Sequence, residues 1–183
     1  MNKLLAVVVL VLTLASCNPK HEWLKHSIET QEKALAEKAK SGKVDSAAVV
    51  ALLKDYETFA ADYPTDTASA LYLYKGADFY RYLHKPLRSI ELYKKIYDTY
   101  PTFGRRPYAL FLQGFIFENE IGNPHAARPI YEKFLAEYPN NPMAKDVRTS
   151  LLYLGKTPEQ IMAEFQANAQ RDSIAKANTT TNP

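Results

Sequence analysis

Hydrophobic residues recur every three or four positions over most of the chain, and this spacing predicts a series of α-helices. The clearest stretch runs from a capping residue, Asp45, to Pro64, and its apolar positions are Val49, Leu52, Leu53, Tyr56, Phe59, Ala60 and Tyr63. A looser helical spacing extends from Pro19 to Lys40. After Pro142 apolar positions continue to Gly155, and Thr157-Pro158 is typical of the start of a last helix. We therefore expect an all-α fold.

The stretch from Ala70 to Pro139 contains one pattern twice. Residues of its first helix recur 37 positions later, where Leu73, Tyr74, Ala77 and Tyr80 match Leu110, Phe111, Gly114 and Phe117. Residues of its second helix recur 38 positions later, where Pro86, Ser89, Tyr93 and Pro101 match Pro124, Ala127, Tyr131 and Pro139. Tyr56 lies 37 positions before Tyr93, so the helix from Asp45 belongs to an earlier repeat. Such a period indicates stacked helix pairs.

The repeated residues resemble the tetratricopeptide pattern, with an aliphatic residue in place of the opening Trp. The resemblance implies a right-handed solenoid of stacked antiparallel helix pairs, with three recognisable repeats plus a terminal capping helix. It implies small residues where paired helices cross, aromatic residues between them and a proline after each second helix. The positions with these packing roles are Ala77, Tyr80, Tyr93, Pro101, Gly114, Phe117, Ala127, Tyr131 and Pro139. The longer links and the closing Tyr-Pro resemble the envelope branch of the family, namely the outer-membrane barrel-assembly lipoprotein and the Tol-Pal-associated periplasmic repeat protein.

The start of the chain predicts export and lipid attachment. A basic start is followed by a mainly apolar run of 12 residues from Leu4 to Ala15, which is typical of a secretory signal. Leu14-Ala15-Ser16-Cys17 resembles the bacterial lipobox, which implies cleavage before Cys17 and acyl chains on this residue. The alternative is an ordinary signal peptide with an incidental thiol. Asn18 favours the outer membrane by the same resemblance, and we expect the protein to face the periplasm.

These features divide the chain into five parts. We expect a signal peptide at 1–16, a lipid anchor with a short tether and a degenerate first helix at 17–44, and tetratricopeptide-like repeats at 45–155. A capping helix at 156–170 and a polar, disordered tail at 171–183 follow. Trp23, near the anchor, either packs in the core or contacts lipid headgroups.

Composition and motifs argue against an enzyme and against nucleic-acid binding. Lys and Arg number 23 against 20 Asp and Glu, so the excess of positive charge is small. His21 and His26 are five residues apart, whereas four would place two metal ligands on one helical face. The sequence contains no glycine-rich phosphate loop and no catalytic serine or zinc motif. We expect no cofactor and no metal.

The first helix of each pair lines the concave side that such folds use for binding. The resemblance implies that the groove is lined by Leu71, Tyr74, Asp78, Arg81, Tyr82, Tyr108, Phe111, Phe115, Glu118 and Asn119. Several of these have a core role as their alternative, namely Phe115, Leu71, Tyr74 and Phe111. Arg105 and Arg106 lie in the loop between repeats and either face solvent or meet an acidic partner or lipid phosphate.

The function that these features predict is a membrane-anchored scaffold or adaptor of the bacterial envelope. Its groove would bind a protein partner, in outer-membrane protein assembly or envelope maintenance. Three alternatives stay open at this point: a self-associating structural lipoprotein that forms a homo-oligomer, a regulatory subunit of a peptidoglycan or other envelope enzyme, and a soluble secreted adaptor.

Overall fold

A computed structural model of the chain describes residues 19–42 and 44–180, which form eight α-helices and no strand. The helices are α1 (Pro19–Lys40), α2 (Ser46–Asp62), α3 (Thr67–Tyr82), α4 (Pro86–Thr99), α5 (Arg106–Asn119), α6 (Pro124–Glu137), α7 (Ala144–Tyr153) and α8 (Pro158–Thr180). The predicted all-α fold of packed helix pairs is confirmed. The predicted signal peptide and Cys17 lie outside the described residues.

The helix ends follow from local sequence signals. The Asp45 carboxylate accepts a hydrogen bond of 2.9 Å from the Ala47 amide, and the Asn123 side chain accepts one of 3.1 Å from the Ala126 amide. Thr157 and Gln160 exchange side-chain to backbone hydrogen bonds in a capping box. Helices α4 and α6 end just before Tyr100-Pro101 and Tyr138-Pro139, as the closing Tyr-Pro predicts.

The chain divides into two compact units, and the first extends to Ala109. Within it each helix from α1 to α4 packs against the next along the chain. The connections between them are short, so neighbouring helices run antiparallel. The buried faces of α1, α2 and α3 share an apolar core that includes Leu24, Ile28, Val49, Leu52, Tyr56, Phe59 and Tyr72.

The second unit runs from Leu110 and contains most of α5 together with α6, α7 and α8. Its fully buried side chains include Ile116, Tyr131, Phe134 and Val147. Gly114 of α5 lies against the Tyr131 side chain of α6. A Cβ atom on Gly114 would lie 2.7 Å from Cε1 of Tyr131, so no side chain fits here without displacing that ring.

The structure differs from the sequence prediction at the C-terminal end. Helix α8 continues to Thr180, through most of the segment from Arg171 that we expected to be disordered. The segment contains neither glycine nor proline before Pro183, so nothing in it interrupts the helix. We expected the apolar face of this capping helix to cover the end of the helix stack. That face is only partly buried, because Ile161 is half-buried and Met162 is 57% exposed.

Trp23 lies on the solvent side of α1. It is 66% exposed, so the core interpretation of this residue is wrong. The buried residues of α1 are Leu24, Ile28 and Leu35, and their helical spacing places the core on another face of the helix.

His21 connects α1 to the start of α3. Its Nε2 atom lies 2.8 Å from an Asp66 carboxylate oxygen, and its Nδ1 atom lies 2.9 Å from a Glu22 oxygen. Asp66 is also the N-cap of α3, where it accepts a hydrogen bond from the Ala68 amide. The imidazole ring packs against Phe59 and Tyr63. The hydrogen bonds to the Asp66 and Glu22 carboxylates favour the imidazolium form and raise the pKa of His21.

We predict that Gly114→Ala destabilises the protein. The new methyl group overpacks against Tyr131, which costs about 1–3 kcal/mol and exceeds the roughly 1 kcal/mol that alanine gains over glycine in a helix. Gly76→Ala is the matched control, because its nearest neighbour is the flexible end of Leu92 at 3.2 Å. Urea unfolding should give a clear loss for Gly114→Ala and a smaller change for the control. Equal or greater stability of Gly114→Ala would contradict the close approach.

We predict that His21 makes stability depend on pH near neutrality. The pKa of His21 in the folded state lies above its unfolded value of about 6.5. The stability that protonated His21 contributes is therefore complete below the unfolded pKa and is lost as the pH rises through the folded pKa. The free energy of unfolding should therefore fall between about pH 5.5 and pH 8.5 more steeply for the wild type than for His21→Gln. Parallel pH profiles of the two proteins would show that folding does not raise the pKa of His21.

Candidate functional site

A buried tyrosine of the second helix binds a carboxylate of the first helix in three successive helix pairs. The Tyr56 hydroxyl donates to Glu32 at 2.6 Å and the Tyr131 hydroxyl donates to Glu118 at 2.7 Å, and Tyr93 donates in the same way to Asp78. All three tyrosines have less than 2% of their surface exposed. Burial, and secondly the hydrogen bond to a carboxylate, raises the pKa of each tyrosine, so each hydroxyl keeps its proton.

The predicted groove acids Asp78 and Glu118 are thus also part of the helix packing. Each lies near the C-terminal end of a first helix, where the fold brings it to the tip of a buried tyrosine. Asp78 remains exposed and Glu118 is half-buried, so both carboxylates also face solvent. The arrangement fixes a negative charge at the surface of each of these two helices.

A cavity of about 510 Å³ lies between α1 and α3 in the first unit. Its apolar lining consists of Leu35, Ala36, Ala39, Val44 and Phe79, together with Tyr56. The polar side chains that line it are Glu32, Lys75, Asp78 and Tyr82. The volume and the mainly apolar lining are those of a binding pocket.

An ion pair connects α1 and α3 at this cavity. The Lys75 ammonium donates to both oxygens of Glu32, at 2.8 and 2.9 Å, and each side chain remains partly exposed. Because Tyr56 donates to the same carboxylate, Glu32 holds α1, α2 and α3 together. The partner charge and the hydroxyl satisfy a carboxylate that would otherwise be costly to bury.

The other predicted groove residues of the first unit separate into core and surface. Tyr74 is buried against Tyr93 and Phe103, so it lies in the core rather than on a binding surface. Tyr82 is 56% exposed and Tyr108 is 45% exposed, and both present aromatic surface to solvent. The residues Leu71 and Arg81 are half-buried.

In the second unit, the predicted groove residue Phe111 packs against α6. The Phe111 ring stacks on Tyr131 with ring centroids 5.9 Å apart, and it also contacts Phe115. Both phenylalanines are half-buried, which places them between core and surface. Asn119 is exposed, and its side-chain amide donates to the Phe115 carbonyl oxygen.

Both arginines expected in the loop between repeats stack on tyrosines, and Arg106 is the first residue of α5 rather than a loop residue. The Arg105 guanidinium lies 5.2 Å from the centre of the Tyr74 ring, and the Arg106 guanidinium lies 4.1 Å from that of Tyr97. Arg106 also donates to the Tyr97 carbonyl oxygen at 2.9 Å. The two side chains therefore support the connection between α4 and α5.

Sequence reasoning missed the contribution of α1 to the site. Glu32, Ala36 and Ala39 line the cavity, but α1 departs from the repeat pattern and we assigned it no groove residue. The alignment of Tyr56 with Tyr93 was the available signal, since the hydroxyl of each buried tyrosine needs a partner on the preceding helix.

Among residues 19–42 and 44–180, no group of three or more His, Cys, Asp or Glu side chains is arranged to hold a metal ion. No helix in the same part of the chain combines the length and the apolar character needed to span a bilayer.

The family model for the tetratricopeptide repeat matches residues 108–141. This match and the packed helix pairs support a tetratricopeptide-type protein. The match covers most of α5 and all of α6, including the Tyr131–Glu118 contact. Tetratricopeptide repeats generally serve as non-catalytic scaffolds for protein–protein interaction. No curated protein matches the chain significantly.

We predict that Tyr131→Phe lowers the free energy of unfolding by about 1–3 kcal/mol, because the half-buried Glu118 carboxylate loses a charge-assisted hydrogen bond. Tyr108→Phe is the control, since Tyr108 is exposed and its substitution should change stability by less than about 0.5 kcal/mol. Denaturant unfolding of both variants checks this. A loss no larger for Tyr131→Phe than for Tyr108→Phe would be the contrary result.

Proposed function

We propose that this tetratricopeptide-type protein is an adaptor that holds another protein of the bacterial envelope on the surfaces of its first helices. The observation that supports this most strongly is the apolar cavity between α1 and α3, with the exposed Tyr82 at its edge. Exposed aromatic side chains beside apolar pockets are typical of protein-binding surfaces. A role in outer-membrane protein assembly or envelope maintenance fits such an adaptor.

We further propose that lipid on Cys17 tethers the adaptor to the outer membrane, on the periplasmic side. The lipobox resemblance of residues 14–17 supports this. Helix α1 begins at Pro19, two residues after Cys17, and two residue steps can extend at most about 7 Å. The exposed Trp23, one turn into α1, is then close enough to contact lipid headgroups.

Self-association is the second candidate function. Helix α8 leaves Met162, Phe165 and Ile174 more than half exposed, and such side chains become buried when two copies associate. This candidate predicts a homo-oligomer whose contacts lie on α8 rather than at Tyr82.

We predict that a photo-crosslinking residue at Tyr82 captures a partner protein in the native envelope. Lys94 is the control position, because it is exposed on α4 and lies away from the cavity. A discrete heterologous product from Tyr82 and none from Lys94 is the expected result, and mass spectrometry would identify the partner. If Tyr82 gives only a self-dimer or no product, the adaptor proposal fails.

We predict that the wild type incorporates labelled palmitate and fractionates with the outer membrane, whereas Cys17→Ser does neither, because the sulfur that carries the diacylglycerol is absent. Several acyl chains would hold the wild type stably on the membrane. Labelling of Cys17→Ser, or an unlabelled wild type, would exclude the proposed anchor.

A further inference from the structure

A second cavity of the first unit, of about 450 Å³, runs along α2 and shares no lining residue with the cavity between α1 and α3. Its residues on α2 recur every three or four positions, so they share one face of that helix. Together with the residues from α3, the next turn and α4, the lining consists of Val50, Leu53, Lys54, Glu57, Thr58, Ala61, Tyr80, Lys85 and Arg88. We call this space the second-helix groove, because α2 and α4 are the second helices of their pairs.

The second-helix groove has an apolar base and an open side. Leu53 is buried, whereas Val50 is 51% exposed and Ala61 is also exposed. From Val50 to Ala61 the α2 side covers eleven residue steps, which extend about 16 Å. A small anion would fill only part of this length, whereas an extended segment of about five residues spans it.

Arg88 is held in place beside the groove. Its guanidinium donates to Glu57 at 2.9 Å and also to Glu91. It lies 5.4 Å from the centre of the Tyr80 ring, and the Tyr80 hydroxyl donates to the same Glu57 carboxylate. Both carboxylates near the groove therefore have a cationic partner.

Two lysines and a threonine of the groove have no such partner. Lys54 and Lys85 are exposed, and neither ammonium group makes an ion pair or a hydrogen bond with any residue in 19–42 or 44–180. The half-buried Thr58 hydroxyl likewise has no hydrogen-bond partner in this part of the chain. All three groups can donate to the carboxylates of a ligand.

The groove carries a net positive charge. Lys54, Lys85 and Arg88 outnumber Glu57 and Glu91 by one. Such an excess of one sign of charge in a cleft attracts ligands of the opposite sign.

The charges around the groove do not reverse this sign. The other acids of α2 are engaged elsewhere, since Asp45 caps the helix and both Asp55 and Asp62 bond to side chains of α1. Lys95 on α4, and Lys43, which lies outside the described residues, add only positive charge.

We propose that the second-helix groove binds an acidic segment of a protein partner, with Asp or Glu side chains that pair with Lys54 and Lys85 and apolar side chains that cover Val50 and Ala61. The length and the apolar base favour a polypeptide over a single ion. The inference adds a second binding surface to the proposed adaptor, and it does not depend on capture of a partner at Tyr82.

The position of the cations favours a protein segment over the headgroups of the membrane. Lys54 is eight residue steps, about 12 Å, along α2 from Asp62. Asp62 pairs with Lys20 in the first turn of α1, which is the end of the unit nearest to the proposed lipid anchor. The free lysine of α2 therefore lies away from the anchored end.

Two designed peptides test the inference on the full, lipid-bearing chain in micelles of an uncharged detergent. One fluorescein-labelled peptide contains Leu and Glu, and the other has Gln in place of each Glu. Fluorescence anisotropy measures the affinity of each, with empty micelles as the blank. We expect saturable binding of the Leu/Glu peptide at an affinity at least about tenfold higher than that of the Leu/Gln peptide, and a loss of affinity at high salt.

A pair of lysine substitutions tests the electrostatic contacts. We expect Lys54→Gln combined with Lys85→Gln to weaken the Leu/Glu peptide at least about tenfold. Lys33→Gln combined with Lys145→Gln is the matched control, because it removes the same charge at exposed positions outside the groove. The control should change the affinity by less than about twofold.

A pair of tryptophan substitutions tests the location. Ala61→Trp fills the second-helix groove from an exposed position, and Ala36→Trp places the same side chain at an exposed position of the cavity between α1 and α3. We expect Ala61→Trp to weaken the Leu/Glu peptide at least about tenfold and Ala36→Trp to leave its affinity unchanged. If Ala61→Trp melts below the wild type, Ala61→Leu replaces it, since leucine retains helix propensity.

Equal affinity for the two peptides would overturn the inference, and so would unchanged binding to the variant that lacks Lys54 and Lys85. If the peptides do not bind but a soluble short-chain phosphatidylglycerol does, and the two lysine substitutions abolish that binding, the groove takes an anionic lipid and the inference is wrong. If the Leu/Glu peptide does not bind while Tyr82 still crosslinks to a heterologous protein, the inference fails and the adaptor proposal stands.

Discussion

The structure depends on one repeated contact, in which a buried tyrosine hydroxyl donates to a carboxylate on the preceding helix. The contact joins α1 to α2 through Glu32 and Tyr56, and it recurs in the next two helix pairs. Burying a hydroxyl without a partner is costly. Each buried tyrosine of a second helix therefore requires an acceptor within reach on the first helix of the same pair. A charged acceptor makes the hydrogen bond stronger than a neutral one would. The acids therefore occupy positions that the packing of each pair determines.

This constraint also shapes the surface on which the proposed function relies. The same carboxylates that accept from tyrosines also face solvent, so the fold itself places negative charge on the first helices. Glu32 pairs with Lys75 beside the cavity of the first unit, and Asp78, which also lines it, accepts from Tyr93. Tyr82 adds exposed aromatic surface at its edge. A partner would bind to groups that are already held in place, which lowers the entropy lost on association.

The repeat pattern was sufficient to predict the helices, the tight helix contact at Gly114 and the burial of Tyr93 and Tyr131. Each of these features follows from a residue spacing that recurs along the chain. The pattern left Tyr74 open between core and groove, since aromatic residues at the edge of a core and on a binding surface have the same helical spacing. The tyrosine–carboxylate contacts depend on how two helices cross, and the spacing of residues along each helix does not specify that geometry. The helix α8 extends beyond the predicted boundary because a polar composition does not by itself prevent a helix, and no Gly or Pro interrupts this segment before Pro183.

If the Tyr93 hydroxyl and the Asp78 carboxylate stabilise each other, their contributions to stability must be coupled. A double-mutant cycle with Tyr93→Phe, Asp78→Ala and the combined variant measures this coupling by urea unfolding of the full chain. We expect a coupling free energy of about 1–3 kcal/mol, because each single variant already removes the shared hydrogen bond. A coupling below about 0.3 kcal/mol, with the two single effects simply adding, would contradict it.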